Sequence, residues 1–400
     1  MNPLLQRLHP YPFERWRALT EGIRPPTALV PINLGIGEPR HAAPALVHEA
    51  LAANLAGLST YPATAGGADL RQACAAWLQR RYGVQVDAAT QLLPVNGSRE
   101  ALFAFAQVAI DPSRPDPTVV CPNPFYQIYE GAALLAGART ALADSDPARN
   151  FAVDWSRIDD ATWARTQLLY VCSPGNPTGA VMPLAEWERL FALSDQHGFV
   201  IASDECYSEI WFGGEPPLGA LQAAAQLGRN DFRRLVAFTS LSKRSNVPGM
   251  RSGFVAGDAE WIRPFLLYRT YHGSAMGGMV QAASVAAWGD EAHVQANRAL
   301  YRAKFAQVTP LLAGVLDVRL PDAGFYLWAG IGAQCGGDDV TWAQGLLAQY
   351  NVTVLPGSLL ARGAPGRNPG AGRIRLALVA GVDECLEAAR RIVSYAQGLS

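Results

Sequence analysis

Three short segments carry side chains that could act together on a small molecule. The first is Ser240-Leu241-Ser242-Lys243, with Arg251 eight residues past the lysine. A lysine amine forms a Schiff base with an aldehyde, and two hydroxyls with an arginine fork can hold a phosphate dianion. Taken alone, such a lysine reads as an exposed loop residue, so its companions decide the matter. The second segment is Asp204-Glu205-Cys206-Tyr207. A carboxylate at Asp204 could pair with a protonated pyridine nitrogen, and Tyr207 could donate to a ring oxygen. Asp204 could equally be the N-cap that closes a strand–helix loop. The third is the turn Ser173-Pro174-Gly175-Asn176-Pro177-Thr178-Gly179, stiffened by two prolines. Its Asn176 offers two donors and an acceptor, suited to a ring oxygen.

Three further groups extend the set. Asn96-Gly97-Ser98-Arg99 places Gly97 and Ser98 where a helix opens. Free backbone N–H groups there would cradle phosphate, although a plain serine cap explains the same letters. Tyr126 and Tyr129 could present an aromatic face to a ring or be core residues. Arg373 and Arg375 alternate onto one face of a strand. A partly buried arginine there could take a carboxylate bidentately, while at least one of the two reads as a solvated edge charge.

These residues need a scaffold, and the apolar pattern supplies one. Near-continuous apolar runs at 91–95, 118–121, 167–172, 199–203, 235–239 and 253–256 suit strands buried on both faces. Helical patterns lie between them, at 99–110 and 184–196. The βαβα order predicts an α/β fold with a mostly parallel sheet wrapped by helices. In such sheets ligands bind beyond the carboxyl ends of the strands, where the segments above fall. After about residue 285 the pattern changes to a helix over 291–312 and strands at 315–320, 325–329, 352–355 and 373–378. The predicted organisation is an N-terminal arm with the start of the small domain (1–44), a large domain (45–285) and a smaller α+β domain (286–400). The block Pro10-Tyr11-Pro12-Phe13 is read as unable to start a helix, and as an arm laid on another surface, such as a second subunit. The piece 362–372 reads as a surface loop.

Composition narrows the classes. With 400 residues, 50% hydrophobic and 17% charged, the chain is globular and long enough for two cores. A net charge of -1 leaves no basic field, so no nucleic-acid partner is expected. Six scattered cysteines, Cys335 among them, form no C-x-x-C pair, which argues against a zinc site or disulfide framework. Charges, Gly or Pro interrupt every apolar run, so no membrane span is expected and a cytoplasmic location is.

The ordered set of Tyr61, Gly97-Ser98, Asn176-Pro177-Thr178-Gly179, Asp204 with Tyr207, and Ser-x-Ser-Lys243 with Arg251 resembles the fold-type I aminotransferases that use pyridoxal 5′-phosphate. The pattern runs from Gly35-Ile36-Gly37-Glu38-Pro39 to Arg375. The resemblance implies that fold, that cofactor and a homodimer with shared active sites. It also implies roles. Lys243 would carry the cofactor and shuttle a proton, Asp204 would pair with the pyridine nitrogen, and Asn176 and Tyr207 would bind the ring oxygen. Tyr126 would stack on the ring. Gly97, Ser98, Arg99 through its backbone N–H, Ser240, Ser242 and Arg251 would hold the phosphate, with Tyr61 reaching it from the partner subunit. Arg375 would take the α-carboxylate, with Gly37 and Asn176 beside the substrate.

The N-terminal Met1-Asn2-Pro3-Leu4-Leu5, Arg244-Ser245-Asn246-Val247-Pro248-Gly249-Met250-Arg251 and Arg269-Thr270-Tyr271-His272-Gly273 resemble the bacterial N-succinyldiaminopimelate aminotransferases. This implies transfer from L-glutamate to N-succinyl-2-amino-6-ketopimelate in lysine biosynthesis. Arg40, Arg269, Tyr271 and His272 are candidates for the distal end of the substrate, His272 also reading as a structural histidine. An aminotransferase of other preference and a carbon–sulfur lyase would share the cofactor residues. A ligand-binding regulatory module lacks support, with Lys243 intact, and no G-x-G-x-x-G marks a dinucleotide dehydrogenase.

Overall fold

The computed structural model describes residues 1–332, 337–363 and 367–399. Cys335 and part of the loop expected at 362–372 lie outside the described residues. The chain begins with a 3-10 turn, Pro3–Arg7, and helix α1 (Pro12–Leu19), then β1 (Ile32–Asn33), α2 (Ala45–Ala53) and α3 (Ala68–Tyr82). The expectation that Pro10–Phe13 cannot open a helix is overturned: α1 starts at Pro12. Proline is tolerated at the first helical position, because its missing N–H would have no intrahelical acceptor there. The arm also lies on its own chain, with Leu8 against Gly131 and His9 near Glu130.

Strands β2 (Leu92–Val95), β3 (Thr118–Asn123), β4 (Arg139–Asp146), β5 (Ala152–Val153), β6 (Thr166–Cys172), β7 (Val200–Asp204), β8 (Leu235–Ser240) and β9 (Gly253–Gly257) form one sheet, in the order β2-β9-β8-β7-β6-β3-β4-β5. The pairs β3–β4, β3–β6, β6–β7 and β7–β8 are parallel. β9 is antiparallel to both β2 and β8, so β2 runs in the same direction as β8. Helices α4 (Ser98–Ala109), α5 (Ile128–Leu135), α6 (Asp160–Trp163), α7 (Leu184–His197), α8 (Ala220–Gln226), α9 (Leu241–Arg244), α10 (Ala259–His272) and α11 (Gly278–Gly289) connect and flank the strands. Alternation divides the strand residues between two cores. Val120, Leu169 and Ile201 face one, with Trp77, Trp187 and Trp288. Val119, Leu168 and Val200 face the other, with Phe105, Tyr129 and Phe265.

The remaining elements are α12 (Ala292–Ala313), β10 (Tyr326–Gly330), α13 (Asp339–Tyr350), β11 (Val352–Thr353), β12 (Leu355–Pro356), β13 (Arg373–Ala377) and α14 (Val382–Gly398). β10, β13 and β12 form a small antiparallel sheet, and β1 pairs with β11. A third core joins Trp16 and Leu34 of the N-terminal region to Tyr301, Trp328, Trp342 and Ile392.

Two strand expectations need correction. Residues 315–320 form no strand beyond a single bridge, Asp317 to Gly330. The strand β4 went unpredicted because its Arg139, Asp144 and Asp146 break the apolar run. It lies toward the sheet edge, where most of its side chains are only partly buried.

Candidate active site

The strands β2, β3, β6, β7 and β8 run in one direction, so their carboxyl ends share one edge of the sheet. The loops leaving that edge carry most of the segments singled out above. Together with β10, β13 and the N-terminal arm they line a cavity of about 530 Å3. Its wall includes Gly37, Ser98, Arg99, Tyr126, Asn176, Asp204, Tyr207, Ser240, Ser242, Lys243, Arg251 and Arg375.

Lys243 sits in α9, the single turn that follows β8. Ser240 caps this turn, its Oγ accepting from Ser242 N–H at 3.0 Å and donating to Ser252 O at 3.0 Å. The neighbouring Arg244 anchors the turn from behind, donating to Ala287 O at 2.7 Å and Glu291 at 2.8 Å. Lys243 Nζ donates to Gly37 O at 2.6 Å and lies 5.1 Å from the centre of the Phe325 ring. Burial pushes its amine down to about 8, while Cys206 and Glu38 pull the other way.

Asp204 ends β7 and is only 4% exposed. Its Oδ2 accepts from Tyr129 Oη at 2.7 Å and its Oδ1 from Cys206 N–H at 3.3 Å. Burial pushes its carboxyl above the ordinary range, and these donors hold it down. Tyr129 is fully buried and stacked on Tyr170 at 4.6 Å, so the donor is fixed. Tyr207 and Tyr326 hydroxyls meet at 3.2 Å.

At the start of α4, Gly97 is the N-cap with φ 87° and no side-chain cap, which excludes the simple serine-cap reading. A β-carbon on Gly97 would lie 2.3 Å from an Arg251 guanidinium nitrogen. The open N–H groups of α4 and the Arg251 fork therefore face the same space. Arg251 itself has φ 53°, an uncommon backbone conformation for a non-glycine residue.

Arg375 lies on β13, 4% exposed. It donates to Asn176 Oδ1 at 3.1 Å and Gly35 O at 2.8 Å, and its guanidinium carbon lies 4.3 Å from the Tyr326 ring centre. No carboxylate among the described residues pairs with it, and its Nε has no partner among them. Arg373 instead turns to Asp317 at 3.2 Å from the central strand of the small sheet, its side chain only 14% exposed, so the solvated edge charge expected of at least one of the two is not found. Gly37 is sterically required beside this pocket, since a β-carbon would lie 1.8 Å from Tyr326 Oη.

The four distal candidates do not line this cavity. Arg269 is 0% exposed and pairs with Glu100 at 2.6 Å inside the fold. Arg40 pairs with Glu384 at the surface, and Tyr271 and His272 are exposed elsewhere. Tyr61 is fully exposed and outside the cavity of its own chain. Sequence reasoning missed Tyr326, Cys206 and Glu38 as cavity residues, and treated Tyr129 only as a ring face or core aromatic. The available signal for Tyr326 was its place on the strand expected at 325–329, whose pairing with the strand of Arg375 only the structure shows. Arg99 brought a second surprise: its side chain, as well as its backbone, belongs to the cavity wall.

The comparisons agree with this geometry. The family profile "Aminotransferase class I and II" matches residues 30–392. A Neisseria meningitidis aminotransferase structure is 54% identical, with TM-score 0.95, covering 98% of this chain and 99% of that one. A Thermus thermophilus structure named "probable N-succinyldiaminopimelate aminotransferase" is 27% identical, with TM-score 0.84, covering 96% of this chain and 98% of that one. A 4-dedimethylamino-4-oxo-anhydrotetracycline transaminase of Streptomyces rimosus is 33% identical over 90% of this chain and 92% of its own. An LL-diaminopimelate aminotransferase of Nitratidesulfovibrio vulgaris is 30% identical over 91% of each. The chain belongs to the class I and II aminotransferases, with the α/β fold of that family and its dependence on pyridoxal 5′-phosphate.

Proposed function

We propose that this aminotransferase moves the amino group of L-glutamate to N-succinyl-2-amino-6-ketopimelate, in lysine and diaminopimelate biosynthesis, as a cytoplasmic homodimer. The observation that carries the reading is Arg375, a buried cation with no carboxylate partner among the described residues, in one cavity with a lysine amine pushed down to about 8. An uncompensated buried charge is costly, so a substrate carboxylate is its natural counter-ion. The diaminopimelate names carried by two of the similar proteins support the acceptor, as do the segments quoted above. The Streptomyces relative carries a different substrate in its name, so the acceptor rests on those supports and not on family membership.

The residues fit the cofactor at both ends. Asp204, buried and held by Tyr129 and Cys206 N–H, would face the pyridine nitrogen. The cradle of Gly97, Ser98, the Arg99 N–H, Ser240, Ser242 and Arg251 would hold the phosphate, Gly97 making room for the Arg251 guanidinium beside the helix start. Tyr126 would cover the ring, and Asn176 and Tyr207 would bind its oxygen. When bound, the cofactor supplies an electron sink for the pair left at the substrate Cα. Lys243 Nζ, partly neutral near pH 7, would take the proton from the substrate Cα and hold it for return. Arg375 and Asn176 orient the substrate carboxylate, and Gly37 keeps the wall clear. The fully exposed Tyr61 would complete the phosphate site of a partner subunit. The division near residues 44 and 285 belongs to the same proposal, supported by the separate core that joins Leu34 to Trp328 and Trp342.

The test is the absorbance of the purified holoprotein before and after L-glutamate, then N-succinyl-LL-diaminopimelate. Loss of the cofactor's yellow band with both supports the full reading. Bleaching with glutamate alone sinks the succinylated substrate. Release of a thiol from a cysteine conjugate in place of bleaching identifies a carbon–sulfur lyase.

A further inference from the structure

The acidic and basic side chains lining the cavity are four cations and two carboxylates: Arg99, Lys243, Arg251 and Arg375 against Glu38 and Asp204. The roles proposed above assign most of them. Asp204 faces the ring nitrogen, Arg251 the phosphate and Arg375 the carboxylate at the reacting end, with Glu38 close enough to act on Lys243. Arg99 keeps a full positive charge with no assigned anion. Its side chain is absent from every ion pair among the described residues, although it borders the same space.

The guanidinium is also positioned. Nε donates to Tyr126 Oη at 2.5 Å, which fixes the plane of the fork and leaves both terminal nitrogens free of hydrogen bonds among the described residues. Tyr11, the N-cap of α1, stands beside the same Tyr126 hydroxyl. A fork pinned at one nitrogen has already lost much of its rotamer freedom, so binding at the other two is cheaper in entropy. Carboxylate and phosphate both match such a fork; with the phosphate assigned to Arg251 and the α4 cradle, a carboxylate is the anion left for it.

We propose that Arg99, through its side chain, takes the carboxylate at the far end of the substrate and so selects dicarboxylic over monocarboxylic substrates. This rests on the reading of Arg375 and Lys243 above, but not on the identity of the acceptor. It also gives the position two separable roles, backbone N–H toward phosphate and guanidinium toward substrate.

The test uses ligands that need no turnover. Dissociation constants for glutarate, pimelate and azelate, and for pentanoate, heptanoate and nonanoate, are measured calorimetrically on the holoenzyme, wild type and Arg99→Gln. A charged hydrogen bond of this kind corresponds to about a 10- to 150-fold preference. The wild type should prefer at least one dicarboxylate by that factor over its monocarboxylate of equal length. Arg99→Gln should abolish the preference, and Arg99→Lys should restore part of it. Equal binding of the two series by the wild type overturns the proposal, as does a preference that survives Arg99→Gln. Cofactor affinity is followed in parallel: weaker cofactor retention with an unchanged preference would mean that the guanidinium serves the phosphate, and overturns it too. Failure of the succinylated compound to bleach the enzyme, with the dicarboxylate preference intact, would instead sink only the acceptor.

Discussion

The depressed basicity of Lys243 can be tested before any substrate is known. Its amine is pushed from 10.5 to about 8, first of all by burial. The difference of about 2.5 units corresponds to about 3 kcal/mol of preference for the neutral form. At pH 7 roughly a tenth of the amine is then unprotonated, against about 0.03% for an ordinary lysine, a gain of about 300-fold in reactive base. The chain makes the assay clean, because its only lysines are Lys243 and Lys304. Lys304 is also pushed down to about 8, but it is 1% exposed and donates to Leu378 O at 2.8 Å. Competitive acetylation of the apoprotein across pH, read by peptide mass spectrometry, should show Lys243 labelling with a midpoint near 8 and Lys304 protected until unfolding. Glu38→Gln removes a nearby anion and should move that midpoint lower. The stability of the apoprotein follows with the opposite sign from an ordinary ion-paired lysine. Below about 8 both folded and unfolded chains hold the proton and the full cost is present; between about 8 and 10.5 the unfolded chain holds more protons, so the contribution of Lys243 to stability rises with pH. A labelling midpoint near 10.5 would refute the burial argument outright.

Other consequences are simpler. Tyr129→Phe removes the hydroxyl at 2.7 Å from the buried Asp204 carboxylate. The loss of about 1–3 kcal/mol should weaken cofactor retention by roughly 5- to 150-fold in equilibrium dialysis, and unchanged retention would mean that Asp204 needs no such donor. Arg269→Ala removes a fully buried side chain together with its pair to the partly exposed Glu100, and the space left behind should lower stability by about 2–5 kcal/mol in denaturant unfolding. If Arg269 instead served the distal end of the substrate, the variant would keep its stability and lose substrate affinity.

How much of this was legible beforehand depended on how far each feature is local. The strands β2, β3, β6, β7, β8 and β9 were visible because burial on both faces demands an unbroken apolar run, which few other structures tolerate. The loops at their carboxyl ends could be ranked from sequence, since a parallel sheet gathers those ends at one edge whatever the helices do. Lys243, Asp204 and Asn176 stood out for that reason and Arg375 for its place on a separate strand, and the cavity contains all four. β4 was hidden because partial burial toward a sheet edge permits polar residues. The helix starting at Pro12 was misread because a proline near a helix start is ambiguous until its N–H neighbours are placed.

What the letters alone determined was the set of chemical groups, their order and the edge of the sheet to which they belong. Only the tertiary structure decided which of them meet, because that depends on packing between segments far apart in the chain. Tyr129 beneath Asp204, Tyr326 against Gly37, and Arg375 between Gly35 and Asn176 are such meetings. The same packing sent Arg269 inward to Glu100 and placed the Arg99 fork over the cavity. Two arginines of identical chemistry thus took opposite fates, because burial and the nearest carboxylate are properties of the folded neighbourhood and of no single stretch of chain.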